Sequence, residues 1–128
     1  MKGIYCLIIE IKKCINKKIG KLGNIDFNKG SYIYVGSAQN GIEKRVKRHF
    51  KKKKKKYWHV DYLLDDKNVK IEKYLCKKGS KKEECKIAKF LASFGDIIQG
   101  FGCSDCKCIS HLFRINKLDL NKLNMGEP

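Results

Sequence analysis

Tyr5, Tyr34, Arg45, His49 and Glu84 stand out in this chain by residue type and by placement. Together they suit cleavage of a phosphodiester, which needs an activated water, a cation against developing charge and support for the departing oxygen. A carboxylate in a basic chain attracts Mg²⁺, an ion that takes oxygen ligands and keeps several waters. Arginine grips phosphate through two parallel hydrogen bonds where lysine offers a point charge. A tyrosine or histidine beside a metal can handle the proton. The set is complete if the strands carrying the two tyrosines are neighbours in one sheet.

The elements that must position them can be read from pattern. Residues 3–11, "GIYCLIIEI", form a breaker-free β-branched run, expected to be a buried strand. "KKIGKLGNIDFNKG" suits a turn and a short strand, and "SYIYVGSA" is the next strand. Gly41 opens a helix that runs to Phe50. At about 100° per residue Ile42, Val46 and Phe50 make its buried stripe, with Arg45 and His49 at the margin, one turn apart. Lys44, Lys47 and Arg48 then face solvent. Arg45 is thus aimed toward the sheet, or else snorkels over apolar surface with its head in water.

"YWHVDYLLD" is expected to be a short helix that buries Trp58, Tyr62 and Leu63. His59 and Asp61 on it either reach the cleft or make structural hydrogen bonds, and Trp58 is read as core. "VKIEKYLC" alternates like a strand. The next helix starts at Ser80, whose partner Glu83 completes a capping box, and Gly95 stops it. On that helix Glu84 falls with Ile87, Ala88 and Leu91 on the apolar face. An acid there is paired with an inward cation such as Arg45, protonated, or bound to a metal. A last strand covers His111 to Ile115. The order β-β-β-α-α-β-α-β predicts an α+β domain with a small, mostly antiparallel central sheet flanked by helices. It is expected to span residues 1–116, with 117–128 a peripheral tail.

With 128 residues and 42% hydrophobic content, one domain with a real core is expected. Thirty Lys and Arg against 13 Asp and Glu leave a net charge of +17. A field so unbalanced implies a polyanionic partner, nucleic acid before anionic membrane. The lysine run from Lys51 suits tracking of phosphates without reading sequence. No stretch is apolar enough to span a bilayer and no secretion signal is evident, so a soluble, cytoplasmic protein is expected.

"GIY" at Gly3–Tyr5 and "YVG" at Tyr34–Gly36, followed by "SAQNGIEKRVKRHF", resembles the GIY-YIG nuclease superfamily. "WHVDYLL", "EECKIA" and "GFGCSDCKCISHLF" are similar to a little-characterised, largely archaeal branch of it, so the resemblance covers nearly the whole chain. By position Tyr5 and Tyr34 match the signature tyrosines, Arg45 and His49 the helix residues, and Glu84 the metal-binding glutamate. The resemblance implies a divalent-metal-dependent endonuclease acting on DNA, with branched, flapped or damaged structures among the candidate substrates. Glu84 would hold Mg²⁺ or Mn²⁺ on the scissile phosphate, Tyr5 would help deprotonate the water, and Arg45 would stabilise the charged phosphate. A non-catalytic nucleic-acid-binding module of the same fold and an RNA-processing nuclease are the alternatives. The segment between the two tyrosines is longer than is usual in the superfamily, so it must form an added hairpin or extended loop. The asparagine many members carry late in the domain has no secure match.

The seven cysteines are 6, 14, 76, 85, 103, 106 and 108. Without a secretion signal they read as free thiols or a metal site. Cys85, Cys106, Cys108 and His111 are the candidate zinc ligands, since thiolate and imidazole make tetrahedral sites.

Overall fold

The computed structural model describes residues 2–51, 54–103, 107–123 and 125–127. Its centre is β1, Gly3–Ile11, an apolar run that is buried almost end to end. Such a strand needs neighbours on both edges and cover on both faces, and it has all four. The five-stranded sheet runs β5 (Val69–Lys77), β1, β4 (Gly30–Ala38), β7 (Leu112–Ile115), β6 (Asp96–Ile97), and every pairing is antiparallel. The α+β class expected from the sequence is the class observed.

Side chains alternate across a strand, so β1 feeds two cores. Leu7, Ile9 and Ile11 point with Tyr5 to one face, where α1 (Ile42–Phe50) and α2 (His59–Leu64) pack through Ile42, Val46, Val60 and Leu63. Ile4, Cys6 and Ile8 point to the other, under α3 (Lys81–Ala92) and its Ile87, Ala88 and Leu91. Each fully buried isoleucine stabilises the fold by roughly 1.5–3 kcal/mol relative to exposure.

The long segment between the tyrosines folds as the added hairpin. Its strands are β2 (Ile15–Lys18) and β3 (Asn24–Phe27), joined through Gly20–Leu22, and Phe27 and Ile19 sink into the α1–α2 core. Three sequence expectations are corrected. The chain after Gly95 does not enter a loop directly but adds the short strand β6, which pairs with β7. Ser80 caps α3 without a side-chain hydrogen bond, so the capping box does not form. Glu83 instead faces Lys86 and Lys77, because two lysines within reach compete for its carboxylate. The tail expected to be peripheral returns to the sheet. Leu123 is buried in the α3 core and the Cys76 amide donates to the Gly126 carbonyl at 2.9 Å. No helix among the described residues is long and apolar enough to cross a membrane.

Candidate active site

Tyr5 and Gly36 are direct partners in the β1–β4 pairing. The Tyr5 ring lies across Gly36 so closely that any Cβ there would collide with the phenol. Tyr34, two residues earlier on β4, projects to the same face. Both tyrosines are buried, and α1 passes over them. The buried stripe of α1 is Ile42, Val46 and His49, not Ile42, Val46 and Phe50: His49 is 2% exposed and Phe50 50%. The reason is that the sheet presents two phenols, not aliphatic surface, beneath the last turn.

His49 Nε2 and the Tyr5 hydroxyl are hydrogen-bonded at 2.7 Å. Among the described residues His49 Nδ1 has no partner. A buried N–H left unpaired costs more than a buried lone pair. The proton is therefore assigned to Nε2, which donates to Tyr5. Burial holds His49 neutral, with its pKa lowered from 6.5 to about 3, and the cations Lys54, Arg48 and Arg45 push the same way. Burial raises the phenols of Tyr5 and Tyr34 above their usual range, while Arg45 pulls both back down.

The lowered His49 pKa has a signed consequence for stability. Between about pH 3 and 6.5 the unfolded chain binds a proton on this histidine that the folded chain refuses, so stability falls as pH drops through that window. At pH 5 the loss is about 2 kcal/mol relative to neutral pH. Urea unfolding at pH 7 and pH 5 checks it: His49→Gln is expected to lose less stability than wild type by about that amount. Equal losses would remove the argument.

Arg45 sits one turn before His49, and its guanidinium lies 4.4 Å from the Trp58 ring centroid and donates to the Ser37 carbonyl at 3.3 Å. Arg48 lies on the ring at the same distance, so two guanidiniums flank one indole. Arg48 is thus not a solvent-facing cation. It donates to both carboxylate oxygens of Asp61, at 2.9 and 3.0 Å, and to the Lys55 carbonyl. Asp61 also accepts the Tyr57 and Trp58 amides, which holds the start of α2. Burial would raise the Asp61 carboxyl; the Arg48 guanidinium and the two amides prevail and hold it below its usual range. Helix angles alone missed this, because Asp61 comes from another element. The Asp61 side chain is fully buried, so Arg48→Ala leaves a charge without its partner and is expected to cost about 3 kcal/mol in urea unfolding. Lys47→Ala, on the exposed face, is expected to change stability by less than about 0.5 kcal/mol.

Glu84 lies on the apolar face of α3 as expected and is 8% exposed. Its carboxylate faces His111, with Oε1 3.8 Å from Nδ1. A cleft of about 510 Å³ opens where the ends of β1, β4, α1 and α3 converge. Tyr5, Tyr34, Arg45 and Glu84 all line it, while His49 stands behind Tyr5. His59 lines it too, held by the Gly102 amide, which donates to its Nδ1 at 2.8 Å. Gly102, at φ 76°, also brings the backbone against His111 and Tyr34 where a side chain would crowd both. Of the two residues placed by sequence near the cleft, His59 reaches it and Asp61 does not. Trp58, expected in the core, packs against the α1–α2 core and also lines the cleft. Lys81, Tyr57, Gln39 and Asn40 at its rim carried no signal in the sequence beyond a basic or polar type.

Arg45 and Lys81 both line the cleft, and cations of this kind suit an anionic ligand. Glu84 is the one carboxylate lining the cleft among the described residues. One carboxylate beside phenols fits a hard ion such as Mg²⁺ or Mn²⁺ that keeps several waters and takes the remaining oxygens from its ligand. The lysine run contributes locally: Lys54 donates to the His49 carbonyl at 3.0 Å, satisfying the C-terminal end of α1.

Of the sulfur-rich cluster, Cys85, Cys108 and His111 come together, with one ligand atom from each within 4.8 Å of the others. Cys106 lies outside the described residues. No curated protein and no solved structure matches the chain significantly. The family model described as "Domain of unknown function DUF123" matches residues 4–125, a span that takes in the whole cleft from Tyr5 to His111, and the chain belongs to that family.

Proposed function

We propose that the chain is a divalent-metal-dependent endonuclease of the GIY-YIG type that hydrolyses phosphodiester bonds in DNA. The observation that supports this reading is the convergence of Tyr5, Tyr34, Arg45 and Glu84 in one cleft of a strongly basic chain, with His49 hydrogen-bonded to Tyr5 at 2.7 Å. The signature strands, the helix and the glutamate occupy the order that the superfamily resemblance requires.

Arg45 would hold the phosphate by two hydrogen bonds and oppose the charge that builds on it. Its contact with Trp58 fixes the guanidinium before substrate arrives, which lowers the ordering cost of binding. Tyr5, once its own proton has left to solvent through the cleft, takes the proton from the attacking water. The His49 N–H and the Arg45 charge stabilise its phenolate against the burial that raises its pKa. Glu84 would hold Mg²⁺ or Mn²⁺, which supplies Lewis-acid stabilisation of the phosphoryl oxygens when bound. Tyr34 lines the cleft with Tyr5, its ring edge-on to His49 and Phe101. The exposed lysines supply sequence-independent grip.

A nicking assay on supercoiled plasmid and on branched or flapped DNA, run in Mg²⁺ and in Mn²⁺, tests the reading. Wild type is expected to cleave, and Arg45→Ala and Glu84→Ala are expected not to. Salt-sensitive binding without cleavage by wild type would support the binding module instead. Cleavage of RNA alone, offered beside DNA to one preparation, would support the RNA-processing nuclease.

A further inference from the structure

The cleft reading does not use the thiols of Cys85 and Cys108. They are in direct contact, Sγ to Sγ, at 2.9 Å. One comes from α3, the residue after Glu84, and the other from the segment that precedes β7. Both are half-buried and free of disulfide. A ring nitrogen of His111 completes a set of three ligand atoms within 4.8 Å of one another. A groove beside the pair, lined by Cys85, Ala88, Lys107 and Cys108 among others, gives a solvent path to the sulfurs.

His111 is arranged as a ligand histidine is. Its Nδ1 lies 3.2 Å from the Val35 carbonyl, which can only accept, so Nδ1 carries the proton. The lone pair of the neutral ring is then on Nε2. Metal-bound histidines almost always donate their other N–H to a carbonyl or carboxylate in this way, which fixes ring and tautomer. Here the acceptor is the backbone between Tyr34 and Gly36, and Glu84 Oε1 stands 3.8 Å from the same nitrogen.

We propose that Cys85, Cys108 and His111 form a thiolate–imidazole site for a zinc ion, separate in chemistry from the oxygen site at Glu84. Soft thiolates select zinc over Mg²⁺, so the two sites do not compete for one metal. Binding releases the thiol protons to solvent and leaves the ion between two thiolates and the imidazole, with a fourth ligand completing the tetrahedron. Zinc–sulfur bonds of about 2.3 Å set two tetrahedral ligand sulfurs about 3.8 Å apart, so the pair opens by roughly 1 Å as the ion enters. The ion joins the 107–111 segment to α3 and holds His111 against Glu84. Its function is to position the cleft's carboxylate, and it touches no substrate.

The test is metal content, which is independent of whether the chain cleaves DNA. Protein purified under reducing conditions without chelator is expected to carry about one zinc per chain by plasma mass spectrometry. Cys85→Ser and Cys108→Ser are expected to lose it, and Cys14→Ser, at an exposed cysteine, to keep it. Because those variants can fail to fold, reduced metal-free wild type is also titrated with Co²⁺. A thiolate-to-cobalt charge-transfer band that zinc then displaces is the expected result. Zinc near zero together with no cobalt band overturns the proposal, as does a folded Cys85→Ser, Cys108→Ser double variant that retains full zinc. A Cys85–Cys108 disulfide in protein that takes up no metal once reduced overturns it equally, in favour of a redox pair.

Discussion

Glu84→Gln is expected to leave the fold standing and to lower nicking by about 10³-fold, which corresponds to about 4 kcal/mol of lost transition-state stabilisation. Glutamine keeps the length and volume of glutamate, so α3 and its apolar face have no reason to repack. What it lacks is the anionic charge that draws a divalent cation into a field otherwise set by lysine and arginine. Glu84 is the one carboxylate lining the cleft among the described residues, and no neighbour stands ready to replace it. Arg45→Ala is expected to cost about 10²–10³-fold, the usual scale for deleting one donor to a developing charge. Binding of DNA at low salt is expected to survive Glu84→Gln, because the lysines that supply it lie elsewhere. Unchanged cleavage by Glu84→Gln and Arg45→Ala would sink the nuclease reading. Circular dichroism and urea midpoints matching wild type are the control that separates lost chemistry from lost structure.

Gly36→Ala is expected to destabilise the chain by about 1–3 kcal/mol and to lower nicking by about 10²-fold, although it adds one methyl group and removes none of the residues proposed to react. The added Cβ would meet the ring and hydroxyl of Tyr5, and the sheet pairing holds both backbones in place. The phenol must therefore move, and with it the 2.7 Å hydrogen bond to His49. The ring has nowhere to go inside a close-packed core without off-rotamer strain. A double-mutant cycle with Tyr5→Leu isolates the collision. Leucine has no ring over Gly36, so the stability cost of Gly36→Ala is expected to fall by about 1 kcal/mol or more in that background. A cycle that closes with no coupling would mean that the ring does not lie where the pairing puts it.

Much of the site could be read from sequence because it rests on local periodicity. A continuous β-branched run announces β1, and the period of 3.6 puts Glu84 among Ile87, Ala88 and Leu91 before any neighbour is known. The same rule sets Arg45 and His49 one turn apart on the side of α1 nearest the sheet. Those statements concern one element at a time, and the backbone geometry of a single element is enough to make them.

Where two elements compete for a position, pattern stopped being sufficient. Phe50 and His49 adjoin on α1, and hydrophobicity favours burying the phenylalanine. The hydroxyl of Tyr5, supplied by a strand 44 residues away in sequence, decides for the histidine. Arg48 looked like one more solvated cation until α2 delivered the buried Asp61 carboxylate to it. Ser80 and Glu83 had the spacing of a capping box, yet Lys77 and Lys86 drew the carboxylate away. Cys85 and Cys108 are 23 residues apart, and only the return of the chain along β7 sets their sulfurs in contact. What the sequence by itself determined was the broad face that each helix and strand turns toward the core, not the residue at its margin. The tertiary structure alone decided which partner meets it there, because a buried polar group takes its hydrogen bond or charge partner from whichever element the fold brings within reach.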